Sequence, residues 1–93
     1  MPIRSFRHRG LKRLYEGEDA RRLNPDHVEK LREILFMLDQ ARGPSDMQLP
    51  GYRLHRLRGR RRGEWTVWVS GNWRVTFRFV GRDVTDVNLE DYH

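Results

Sequence analysis

Two parts of this chain carry side chains that can move protons beside fixed positive charge. One is His55, set in a run that holds Arg53, Arg56, Arg58, Arg60, Arg61 and Arg62. The other is the triplet Asp91-Tyr92-His93. Each group alone is weak as a signal: a lone histidine is commonly a surface or hydrogen-bonded residue, Tyr92 could pack on a sheet, and Asp91 could accept a bond at a strand end. Together they suit chemistry on a phosphodiester. Attack by a 2′-hydroxyl needs a general base, an acid for the departing 5′-oxygen and cations around the charge-rich phosphorane. Imidazole serves as acid or base near neutral pH, a carboxylate serves as base or orients the imidazole, and guanidinium groups stabilise the developing charge. Arg58, Arg74 and Arg78 are the candidate phosphate clamps.

The arginine run places six arginines in the ten residues 53–62, and no acidic side chain occurs between Met47 and Gly63. Such a segment suits an anionic partner bound with strong salt dependence, either nucleic acid or an acidic segment of another protein. The whole chain has a formal net charge of +6, and of its 19 basic side chains only Lys12 and Lys30 are not arginine. Arginine is the better bidentate ligand for phosphate, which favours nucleic acid.

Other chemistries are poorly supplied. The absence of cysteine excludes disulfides, thiolate metal sites and cysteine nucleophiles. Asp91 and His93 are too few for a metal site, and no HExxH or paired-carboxylate spacing accompanies them. Gly59 and Gly63 lack the Gly-Lys-Ser/Thr ending of a phosphate loop. No cofactor is expected. Apolar stretches are far too short to span a membrane, and Met1-Pro2-Ile3-Arg4 opens no signal-peptide pattern, so the expectation is a soluble cytoplasmic protein.

The elements that must position these residues are readable from local pattern. At 93 residues the chain makes one domain, 1–93, with a modest core. Ile3 to Phe6 reads as a short edge strand. Phe6, Leu11, Leu14 and Tyr15 mark one face of a short helix, with His8, Arg9, Lys12 and Arg13 on the other and Gly17-Glu18-Asp19 as a loop. Asn24 is a helix cap, Pro25 suits the first helical position, and Val28, Leu31, Ile34, Leu35 and Leu38 form an apolar stripe stopped by Gly43-Pro44. From Tyr52 the period changes to two. Trp65, Val67 and Val69 alternate with Thr66 and Trp68, and His55 alternates with Leu54. Ser70-Gly71 reads as a hairpin link. Trp73, Val75, Phe77 and Phe79 then alternate with Arg74, Thr76 and Arg78. Gly81-Arg82 turns the chain into a last strand, Val84 to Leu89, that leads to Asp91. The implied class is α+β: helices cover one face of an antiparallel meander, and Arg74 and Arg78 lie on the other face.

With those residues assembled, the chain resembles the HigB branch of the RelE/ParE toxin superfamily over nearly its whole length. The resemblance runs through residues 5–13 (SFRHRGLKR), 49–55 (LPGYRLH), 71–77 (GNWRVTF) and Asp91-Tyr92-His93. It implies a compact RelE-like α+β fold, with a short N-terminal strand and two helices packed on a mostly antiparallel sheet of four to five strands. It further implies a type II toxin that cleaves mRNA in the ribosomal A site without metal or organic cofactor. Its partners would be the ribosome, mRNA and a helix-turn-helix antitoxin of HigA type, with one toxin monomer entering the toxin–antitoxin complex. By motif, His55, Asp91, Tyr92 and His93 match the family's active-site positions, and Arg74 its phosphate-facing arginine. Arg58 matches a position usually held by Lys in a His-Pro-Leu-Lys-Gly segment. Here that segment reads His55-Arg56-Leu57-Arg58-Gly59, so the proline is replaced and a backbone N–H is freed. Arg53, Arg60, Arg61, Arg62 and Arg78 complete the expected RNA-binding set. Two other readings stay open: a non-enzymatic ParE-like inhibitor of DNA gyrase, and a catalytically silent homologue that only binds an antitoxin.

Overall fold

The computed structural model describes residues 2–92. Helix α1 spans Arg9–Gly17 and helix α2 spans Pro25–Gln40. For α2 the local signals agree with the outcome. Asn24 Oδ1 accepts the Asp26 N–H at 2.9 Å, Pro25 takes the first helical position, and Leu31, Ile34, Leu35 and Leu38 are all buried. Each such burial stabilises the fold by roughly 1.5–3 kcal/mol. For α1 the cap is His8, whose Nδ1 accepts the Leu11 N–H at 3.2 Å. His8 was expected on the exposed face of this helix, yet it turns inward to close the first turn. Gly10 permits this, because a Cβ there would lie 2.8 Å from His8 Cε1. Helix α1 ends where Glu18 adopts a left-handed φ of 58°. The Tyr15 hydroxyl donates to Asp39 Oδ1 at 2.6 Å, tying α1 to α2.

Four strands follow: β1 (His55–Arg56), β2 (Glu64–Ser70), β3 (Trp73–Val80) and β4 (Asp83–Asp91). They pair in chain order, each antiparallel to the next. The alternation expected in β2 and β3 holds, with Val67, Val69, Val75 and Phe77 buried beneath the helices alongside Val84 and Val87 of β4. The Ser70 hydroxyl and His27 Nε2, 2.8 Å apart, link the end of β2 to α2.

Two expectations are narrowed. The Ile3–Phe6 segment does lie beside β4, but as two isolated parallel bridges, Ile3 with Val84 and Phe6 with Val87. The cause is a bulge in β4: Asp86 has φ 55°, and its N–H turns to Ser5 Oγ at 2.9 Å instead of to a backbone carbonyl. The period-two segment starting at Tyr52 yields only a two-residue strand. Arg53 sits at φ 49°, which delays extended pairing until His55. After Arg56, a 3-10 turn at Gly59–Arg61 takes up Arg60 and Arg61 of the arginine run.

Candidate active site

Residues directly opposite across an antiparallel pair share a face, so the strand register writes out the surface that the helices leave uncovered. One row runs His55, Thr66, Thr76, Asn88 across β1 to β4, and a second runs Trp68, Arg74, Glu90. A third sets Glu64 beside Arg78 and Thr85. Tyr92 follows Glu90 at the strand period and so joins the same face. His55, Arg53, Leu57, Thr66, Arg74 and Tyr92 wall one cleft of about 450 Å³. A second concavity on the other side of His55 is lined by Arg56, Leu57, Arg58, Gly59 and Arg62. His55 thus stands between the cleft and the arginine loop, exposed to both.

The approach to His55 is held from below. The buried Tyr52 accepts the Trp68 N–H on its carbonyl at 2.7 Å, and its hydroxyl donates to Glu33 Oε2 at 2.6 Å. Burial, reinforced by that carboxylate, pushes the Tyr52 hydroxyl far above its ordinary pKa. At the other wall, the Tyr92 N–H donates to the Asn72 carbonyl at 2.8 Å, which fastens the end of β4 to the β2–β3 turn. The Tyr92 ring lies 5.9 Å from the Arg74 guanidinium. Its hydroxyl is raised above the usual phenol range, chiefly by burial, so it remains protonated at neutral pH. Asp91 pairs with Trp73 and alternates to the side of β4 away from Glu90. His93 lies outside the described residues.

The arginines divide into two sets. Arg58 and Arg60 are exposed and make no ion pair among the described residues, and the Arg62 side chain is likewise exposed. Arg53 stacks over the Trp68 ring at 4.4 Å while lining the cleft. Arg61 and Arg78, by contrast, are held by carboxylates. Arg61 binds both Glu64 and Glu90, and Arg78 lies 3.6 Å from Glu64 and 3.8 Å from Asp86. Hydrogen bonds from Arg61, opposed by burial, hold Glu64 and Glu90 below the usual carboxylate range. The two glutamates, and the buried Thr76 that donates to Glu90 Oε2 at 2.7 Å, escaped the sequence reading. A signal was present, since Glu64 shares the period of Thr66 and Glu90 that of Asn88. Among the described residues, no three His, Asp or Glu side chains gather as a metal-ligand set.

Two helices on one face of a short antiparallel meander, with a basic cleft holding a histidine and a tyrosine on the other, define an α+β protein of the RelE-like class. The match to known proteins is correspondingly broad: residues 4–93 fit the family model described as the RelE-like toxin of type II toxin–antitoxin system HigB. The chain is 37% identical over 91 residues to Endoribonuclease HigB of Proteus vulgaris, covering 98% of this chain and 99% of that protein. It is 32% identical over 77 residues to Toxin HigB-1 of Vibrio cholerae serotype O1, covering 81% of each. The chain belongs to the HigB-like toxin family. A toxin of a type II system has an antitoxin as its partner. No described helix is long and apolar enough to cross a membrane.

Proposed function

We propose that this protein is an endoribonuclease toxin that cleaves mRNA in the ribosomal A site by attack of the 2′-hydroxyl, with no metal ion. The observation that carries the reading is the convergence of His55 from β1, Arg74 from β3 and Tyr92 from the end of β4 on one cleft. A protonatable imidazole, a guanidinium and a neutral phenol around one concavity supply an acid/base group, charge stabilisation and a stacking or hydrogen-bonding surface.

His55 acts as general acid or base. His93 acts as base or orients it, and Tyr92 positions the nucleotide. Asp91, turned to the other side of β4, supports the strand end that carries them. Arg74 and Arg58 stabilise the phosphorane charge, while Arg53, Arg60 and Arg62 draw the RNA backbone toward the cleft. The residue at 58 keeps a lysine's charge but cannot give up a proton, so it stabilises charge and takes no part in proton transfer. The relative named as an endoribonuclease supports the activity. The antitoxin is of the helix-turn-helix HigA type, the toxin enters the complex as a monomer, and the site of action is the cytoplasm.

The test is controlled expression followed by primer extension on translated messages, comparing wild type with His55→Ala and His93→Ala. Discrete cuts at A-site codons that vanish in both variants support the reading. Full growth arrest and cleavage in either variant would overturn the assignment of that residue. Arrest of DNA replication with messages intact would instead indicate gyrase inhibition.

A further inference from the structure

We infer that Arg61 is a positioning residue, which fastens the Asp91-Tyr92 end of β4 to the floor of the cleft and does not hold substrate phosphate. The inference rests on the reading of the cleft as an RNA-cleaving site, and it separates Arg61 from the neighbouring arginines of the same run.

The geometry is specific. Arg61 Nε and Nη2 donate to Glu64 Oε2 and Oε1 at 3.0 and 2.9 Å. Nη1 donates to Glu90 Oε1 at 2.8 Å, and Nη2 also contacts Glu90 Oε2. The same Nη1 reaches the Tyr92 hydroxyl at 3.3 Å. One guanidinium therefore joins the 3-10 turn, β2 and β4, and Thr76 brings in β3 through its bond to Glu90. Glu64 is 4% exposed, so its charge has little water to fall back on if Arg61 leaves.

Charge balance decides against a phosphate role. Arg61 lies between Glu64 and Glu90, and Arg78 stands 3.6 Å from Glu64, so the cluster is close to neutral and its guanidiniums are already engaged by carboxylates. Reaching Arg61 would require RNA to displace Glu64 or Glu90 and to sit beside the displaced anion. Arg58 and Arg60, three residues and one residue earlier and both exposed, carry no such cost. What Arg61 does control is placement. Glu90 directly precedes Asp91, and the Tyr92 hydroxyl is one of the groups Arg61 holds, so its loss frees the wall of the cleft opposite His55. A shift of about 1 Å in a reacting group can cost on the order of 100-fold in rate.

The experiment measures single-turnover cleavage of a defined message on programmed ribosomes, together with the salt dependence of binding to a fluorescent single-stranded RNA oligonucleotide. The proteins are wild type, Arg61→Gln, Glu90→Gln and the double variant. Arg61→Gln is expected to lower kcat by about 10- to 100-fold with KM within about threefold. It should keep the wild-type salt slope, whereas each true phosphate contact contributes about 0.7 to that slope for a single strand. Glu90→Gln leaves an oxygen for Thr76 but removes the charge that grips Arg61, so it should show a similar kcat loss. The double variant should then be no worse than either single one, as for two residues acting through one contact.

A salt slope reduced by one contact, or a raised KM with kcat retained, would make Arg61 a phosphate ligand and overturn the inference. Unchanged kcat in Arg61→Gln overturns it too. If Arg61→Gln fails to fold, Glu90→Gln carries the test, and full kcat there is equally fatal. A wild-type protein that cleaves nothing sinks the reading of the cleft itself, which is a different failure.

Discussion

The backbone N–H of Tyr92 donates to the carbonyl of Asn72 at 2.8 Å, so the end of β4 is stitched to the turn between β2 and β3. Strand ends ordinarily fray, and side chains carried there are poorly placed for chemistry. Here Tyr92 is held by its backbone on one side and by its hydroxyl contact with Arg61 on the other. The Tyr92 amide should therefore exchange its hydrogen at a rate close to those of the amides within β4. Exchange as fast as in an unstructured peptide, measured by NMR, would contradict this anchoring.

His55 is exposed, and its side chain makes no hydrogen bond or ion pair among the described residues. His55→Ala should change stability by no more than about 0.5 kcal/mol, within the range of surface substitutions. Cleavage should nevertheless fall by about 10²- to 10⁴-fold, the usual contribution of a positioned acid or base. Urea denaturation beside a cleavage assay reads both quantities from one preparation. Parallel losses in the two would mean that His55 supports the fold rather than the reaction.

Arg60 lies on the exposed 3-10 turn, with no ion pair among the described residues. If it contacts RNA backbone, Arg60→Gln should weaken binding nearly equally for all RNA sequences. It should also reduce the slope of log K against log salt by about 0.7 for single-stranded RNA. Titrations of an RNA oligonucleotide at several salt concentrations check this. A loss that depends strongly on sequence, with the slope unaltered, would point to base contact instead.

The cap of α1 gives the fold a pH dependence of known sign. His8 Nδ1 accepts the Leu11 N–H, which only a neutral imidazole can do, and burial lowers its pKa below the ordinary 6.5. The folded state thus binds its proton more weakly than the unfolded one. The resulting stability is present above pH 6.5 and is lost as pH falls through the lowered value. His8→Ala should cost about 1 kcal/mol at pH 8, as loss of a helix cap does, and much less at pH 5. Thermal melts of both proteins at the two pH values test this, and an equal difference at each would rule out the cap as the origin.

The carboxylates on the cleft face act in the same direction at lower pH. Glu64 and Glu90 are held below the ordinary carboxylate value of 4.5, first by Arg61. Their stabilisation is present above that value and is lost as pH falls through the depressed ones. In Arg61→Gln, acid unfolding should consequently begin at higher pH than in wild type, followed by circular dichroism across an acid titration. An unshifted midpoint would mean the two carboxylates do not depend on Arg61.

What the sequence determined by itself was what neighbouring residues can settle. Asn24 and Pro25 start α2 because a side-chain acceptor and a fixed φ act within one turn. The alternation of Trp65 to Val69 and Trp73 to Phe79 makes strands whose apolar side chains must share one face. The same local logic put Arg74 on the polar face, and the motifs around His55 and Asp91-Tyr92-His93 indicated the family. Tertiary structure decided which charges remain available. Arg61 and Arg60 are adjacent and chemically identical, yet only Arg61 meets Glu90, 29 residues away, once β4 is laid beside β3. His8 looked like one of several polar residues on a helix face until the missing side chain of Gly10 let it fold inward as a cap. Periodicity assigns a residue to a face. The partner waiting on that face depends on strand register, which joins residues far apart in the chain.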